Sequence, residues 1–113
     1  MGRGAARAPC PVIALTQRLV RIHPDALEEA EAATDWYLAR SHRAAISFLD
    51  EFDRLVERIA GSPENFPAFD FGTRRAQLRR FPYFLVFRER DGAIELIALA
   101  HGKRRPGYWR TRV

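Results

Sequence analysis

The sequence predicts an α+β domain: a helical hairpin packed on a curved, mostly antiparallel sheet, in the order strand, helix, helix, then three strands. Three observations lead there. Between residues 24 and 61, apolar side chains recur at three- and four-residue spacing in two runs separated by a short break. Toward the other end, the apolar runs Phe84-Leu-Val-Phe87 and Ile94-Glu-Leu-Ile-Ala-Leu-Ala100 bracket Asp91-Gly92, a strong hairpin signal. Helices and most strands fall in separate blocks, which is the α+β pattern.

Leu19-Val-Arg-Ile-His23 sets Val20 and Ile22 against Arg21 and His23 and reads as a short strand. Pro24 suits a first helical position, where its missing N–H costs nothing, and Asp25, Glu28 and Glu29 lie near the positive end of the helix dipole. Leu27, Ala30, Thr34 and Tyr37 then predict a narrow stripe of contact through about Arg40. Ser41 is a suitable cap for a second helix, in which Leu49, Phe52, Val56 and Ile59 repeat the spacing and Ala45, Phe48 and Leu55 widen it. Gly61-Ser62-Pro63 stops that helix, and the short connection makes the pair an antiparallel hairpin.

Residues 64–73 form an aromatic-bearing loop, followed by strands at about 74–80, 83–88 and 93–100. Phe84–Phe87 is apolar on both faces, as befits a central strand covered by helices. Arg74, Arg75, Arg79 and Arg80 flank Leu78, so the first strand of this meander carries cations. The sheet face away from the helices is therefore expected to be concave and basic.

Length and composition bound the function. With 113 residues, 47% of them hydrophobic, the chain is one globular domain over residues 19–113. Residues 1–18 are expected to be a flexible arm, since their apolar part is short and broken by prolines. No apolar run approaches the roughly 20 residues of a membrane span. The single cysteine, Cys10, excludes an internal disulfide and fits a cytoplasmic protein. The net charge of +5 divides into +4 over residues 1–23, −6 over 24–65 and +7 over 66–113, which implies one electropositive face. No cofactor is expected, because the chain lacks a phosphate loop, a paired-cysteine site and a Gly-x-Ser-x-Gly elbow. No metal is expected either: His23 beside Asp25 and Glu28 is a poor site.

The final residues, His101-Gly-Lys-Arg-Arg-Pro-Gly-Tyr-Trp-Arg-Thr-Arg-Val113, follow directly on the last strand. They bring an imidazole, two aromatics and the cations Lys103, Arg104, Arg105, Arg110 and Arg112 to one edge of the molecule, a set that suits a phosphate-rich or acidic partner. Two kinds of chemistry can use it. Cleavage of RNA by a 2′-hydroxyl needs a proton acceptor, a proton donor and charge stabilisation at phosphorus; His101 is the candidate base, Tyr108 the candidate donor, and Arg79, Arg80, Arg104 and Arg105 candidate phosphate ligands. Binding without cleavage needs only a basic, aromatic surface, for which Arg75, Arg80, Lys103, Arg104, Trp109 and Arg110 are candidates. Against both stand ordinary structural roles: a backbone hydrogen bond for His101, and packing for Tyr108 and Trp109.

The element order, Phe81-Pro82-Tyr83 at the start of the central strand, and the His101-to-Trp109 tail together resemble the RelE/ParE superfamily of toxins from type II toxin–antitoxin systems, over about residues 19–113. The tail looks most like ParE-type, plasmid-stabilisation members. The resemblance implies a small cytoplasmic toxin held inactive by a cognate antitoxin, whose wrapping segment would complement the basic last third. It further implies inhibition of DNA gyrase without catalysis. The alternative is RelE-like, metal-independent cleavage of ribosome-bound mRNA, for which Arg79, Arg105 and Tyr108 are the nearest matches to the residues such relatives use. Lysines prominent in that branch are arginines here, and arginine cannot shuttle protons.

Overall fold

The computed structural model describes residues 12–14 and 18–113. The expected arm over residues 1–18 lies mostly outside that range, but Val12–Ala14 within it forms a short strand, β1. The elements that follow are β2 (Leu19–Ile22), α1 (Pro24–Leu38), α2 (His42–Gly61), β3 (Ala68–Phe69), β4 (Thr73–Gln77), β5 (Tyr83–Arg90) and β6 (Ala93–His101). They make one sheet in the order β1-β2-β6-β5-β4-β3, antiparallel throughout except for the parallel pair β2 and β6. The fold is the α+β arrangement that the sequence predicts, with the helical hairpin on one face of the sheet.

Local chemistry explains the boundaries. The His23 Nδ1 accepts the Asp25 N–H at 3.0 Å and caps α1 ahead of Pro24, while the Ser41 Oγ accepts the Ala44 N–H at 3.2 Å and caps α2. Asp91 and Gly92 take φ values of 55° and 76°, the left-handed pair that a tight hairpin between β5 and β6 requires. The core under the hairpin contains Ala26 and Ala33 from α1, Phe48, Leu55, Val56 and Ile59 from α2, and Leu85, Phe87, Ile94, Leu96 and Leu99 from the sheet. Two stripe positions differ from expectation. Leu49 is exposed, and Thr34 turns its hydroxyl to the Ala30 carbonyl at 2.7 Å while neighbouring Ala33 takes the buried place. Phe81 packs edge-on against Tyr37 and Phe48, with centroids 5.0 and 5.3 Å away, and pins the start of β5 to the hairpin.

Two further departures shape the functional surface. The first strand of the meander ends at Gln77, so Arg79 and Arg80 belong to the turn before β5 and not to a strand. Ahead of it, the aromatic loop contains a strand of its own: β3 pairs Ala68 with Arg74 and Phe69 with Thr73. The register of β5 on β6 also slips by one residue. Val86 faces Ala98 and Phe87 faces Leu96, which leaves Ile97 as a bulge. The bulge places Ile97 and Ala98 together on the face away from the helices.

Candidate functional site

That second face is not open. Gly102 N–H donates to the Pro82 carbonyl at 2.9 Å and Arg104 N–H to the His101 carbonyl at 3.0 Å, so the chain turns as it leaves β6. Gly107, at φ 73°, completes the reversal; a Cβ there would lie 3.3 Å from Phe71 Cε2. The tail then lays Trp109 against Phe84, Val86, Ile97, Ala98 and Ala100. Trp109 is 1% exposed, with the Phe69 and Phe71 rings 5.8 and 5.6 Å from it. Trp109 is therefore a core residue and not the surface anchor expected, and its burial replaces the concave basic face with an apolar layer.

A polar cluster fastens the tail. β2 ends at Ile22 while β6 continues to His101, so beyond the last ladder bond, from His23 N–H to the Leu96 carbonyl at 2.9 Å, the β6 edge has no neighbouring strand. Backbone groups left there need other partners. Leu99 N–H donates to Glu29 Oε1 at 3.0 Å, and Arg112 Nη1 donates to the Ile97 carbonyl at 3.1 Å. Arg112 also grips both Glu29 oxygens, at 3.0 and 2.9 Å, and the Tyr108 hydroxyl donates to Glu29 Oε2 at 2.7 Å. Burial, with the Glu29 hydrogen bond behind it, pushes the Tyr108 hydroxyl well above the ordinary tyrosine range. Its proton is thus held in the protein and is a poor one to donate.

The remaining tail residues frame a cleft of about 250 Å³ lined by Arg75, Phe84, His101, Arg104, Arg105 and Tyr108. Arg75 lies 3.9 Å over the Phe84 ring and 5.4 Å from Phe69, and Arg104 lies 3.7 Å over Tyr108. His101 Nδ1 accepts the Lys103 N–H at 3.1 Å, and its ring meets Tyr83 edge-on at 5.0 Å. With Nδ1 accepting, the neutral ring carries its proton on Nε2 and offers a donor; acting as a base at Nε2 would cost the Lys103 bond. Lys103 is exposed beside the cleft, and Arg110 sits 5.4 Å over the half-exposed Phe71. Among the described residues, ion pairs engage Arg18, Arg54, Arg88 and Arg112, and none engages Arg75, Arg104 or Arg105.

Arg79 and Arg80 lie elsewhere. They line a separate cleft of about 370 Å³ with Glu51, Arg54 and Arg58 of α2. Glu51 accepts the backbone N–H of Arg79, and that of Arg80 at 3.3 Å. The structure thus gathers Arg75, His101, Arg104, Arg105 and Tyr108, but does not bring Arg79 or Arg80 to them. Sequence reasoning missed Glu29, which reads locally as one more acid in a helix, and the bonding role of Arg112. No local periodicity joins positions 83 residues apart.

No curated protein matches the sequence. Among solved structures the chain is similar to one from the chromosomal ParDE TA system from P. aeruginosa, with 17% identity, a TM-score of 0.66, and coverage of 75% of this chain and 96% of that one. At that identity the likeness bears on the fold alone. Residues 20–106, which run from β2 into the arginine loop, match the family described as the ParE toxin of the type II toxin–antitoxin system parDE, and the chain belongs to that family.

Proposed function

We propose that this toxin inhibits DNA gyrase by binding, without catalysis. As the toxin of a type II toxin–antitoxin system it has a cognate antitoxin as its partner. The observation that supports a gripping role is the division of labour in the tail. Arg104 and Arg105, with Arg75 beside them, line a cleft and form no ion pair among the described residues, whereas Tyr108 is bound to Glu29. A surface of oriented guanidiniums backed by aromatic rings is what protein recognition favours. RNA cleavage would require a free donor, a base and a phosphate ligand together. Tyr108 is occupied, His101 presents a donor, and Arg79 lines the other cleft.

A supercoiling assay run beside a primer-extension map of messages after induction separates the two readings. Inhibited supercoiling with intact messages is expected. Unaffected supercoiling at micromolar toxin would refute the gyrase reading, and codon-phased cuts in ribosome-bound message would replace it with nuclease activity.

A further inference from the structure

We infer that the cleft between β4, β6 and the tail is a phosphodiester-binding site through which the toxin touches duplex DNA directly. The gyrase reading supplies the setting, since DNA held by that enzyme is the duplex on offer. The cleft itself carries the chemistry.

Arg75 and Arg104 are each fixed by stacking on a ring, at 3.9 Å over Phe84 and 3.7 Å over Tyr108. Stacking holds each guanidinium in place; Arg75 Nη2 also donates to Gln77 Oε1 at 3.2 Å, and the remaining N–H groups are available to an anion. Arg105, next to Arg104 in the chain's turn, lines the same cleft, and His101, whose Nδ1 accepts from Lys103, adds an Nε2–H donor. One acid, Asp70, also lines the cleft, so three arginines against one carboxylate leave a surplus of two positive charges. Arginines spaced on a folded protein normally find carboxylates, and this chain has 14 acids to offer. The acidic middle segment, however, is folded into the helices on the opposite side of the sheet.

Charge distribution favours a nucleic acid over an acidic peptide. Lys103 and Arg110, both exposed on the tail and outside the cleft lining, add positive charge beyond it. Cations beyond the cleft suit the repeating charge of a phosphate backbone, whereas one or two side-chain carboxylates would engage the cleft alone. The molecule is also bipolar. The helices are acidic and the tail is basic, which orients an approaching polyanion toward the cleft.

The test measures binding of the full chain to a short fluorescent DNA duplex of mixed sequence, without gyrase, by anisotropy across a range of salt. Arg75→Gln, Arg104→Gln and Arg105→Gln are each expected to weaken binding about tenfold, the loss of one charge-assisted contact, and to lower the salt slope by about one. Arg80→Gln, in the other cleft, should change affinity less than about twofold at the same salt. Arg105 makes no side-chain hydrogen bond among the described residues, so its substitution tests the site without disturbing the fold, and thermal midpoints check the others. Absence of duplex binding by the wild-type toxin at low salt would overturn the inference. So would equal losses from Arg80→Gln, or cleft-dependent binding of poly-glutamate in preference to DNA, which would assign the cleft to an acidic protein segment. Supercoiling inhibition without cleft-dependent DNA binding would defeat this inference alone; DNA binding with uninhibited gyrase would defeat the target reading alone.

Discussion

Removing the Glu29 carboxylate tests how the tail is held. In Glu29→Ala, Arg112 loses two bonds of 3.0 and 2.9 Å, and Leu99 N–H and the Tyr108 hydroxyl lose their acceptor. The side chains of Glu29 and Arg112 are 16% and 12% exposed, so the stranded guanidinium is largely out of water. Breaking a buried pair from one side costs about 3–5 kcal/mol. Asp25 remains 3.7 Å from Arg112 Nε and can compensate in part, which places the loss near the lower end, at about 3 kcal/mol. For a chain of this size about 1 kcal/mol corresponds to roughly 4 °C in Tm, so calorimetry should show a fall of about 12 °C. The double variant Glu29→Met with Arg112→Met should recover at least half of that, because most of the single-variant loss is the uncompensated charge rather than the value of the pair. A fall below about 4 °C for Glu29→Ala would put this pair among ordinary surface ion pairs and refute the account of the tail as a fastened element.

Three other outcomes follow from the same geometry. Burial raises Tyr37, Tyr83 and Tyr108 above the ordinary tyrosine value, with the Glu29 bond reinforcing Tyr108. The folded state holds these protons more tightly than the unfolded chain, so their contribution is intact below about pH 10 and is lost as pH rises through the folded values. The urea midpoint should therefore decline above about pH 10, and less steeply in Tyr108→Phe; identical slopes in the two proteins would contradict the assignment. Trp109→Ala removes a fully buried indole and should cost about 3–5 kcal/mol by chemical denaturation, which a freely exposed anchor would not. Gly107→Ala forces a side chain onto a φ of 73° beside Phe71 and should cost about 1–2 kcal/mol, whereas Gly61→Ala, in open space at a helix end, should be neutral or stabilising.

What could be read from the sequence was what neighbouring residues decide among themselves. Pro24 and Ser41 mark the starts of both helices, and Asp91-Gly92 marks the hairpin, because caps and tight turns are contests over a few adjacent backbone groups. The apolar run of β6 did not show which residues share a face: Ile97 and Ala98 do so because the strand bulges, and a bulge is set by the pairing partner rather than by composition. Arg79 and Arg80 look continuous with Arg74 and Arg75 along the chain. The end of β4 at Gln77 and the grip of Glu51 on their amides send them into a different cleft. The tail is the largest difference. Its aromatics and arginines read as one basic surface, yet Tyr108, Trp109 and Arg112 are tied into the fold by Glu29, the β6 edge and the apolar second face.

That division has a mechanical consequence for the arginine loop. Residues 102–107 are held at one end by β6, through the Gly102 and Arg104 amides, and at the other by the buried Trp109 and the Glu29 cluster. Arg104 and Arg105 are therefore presented from a loop tethered at both ends, and less conformational freedom remains to be lost on meeting a target. Loss of activity on substituting Glu29, Tyr108 or Arg112 is accordingly not proof of contact with the target. A residue that positions the loop should lose activity together with thermal stability. One that touches the target, the role proposed for Arg105, should lose activity with its stability intact. The two signatures allow the fastening half of the tail to be separated from the gripping half by experiment, although the sequence writes them as a single basic, aromatic run.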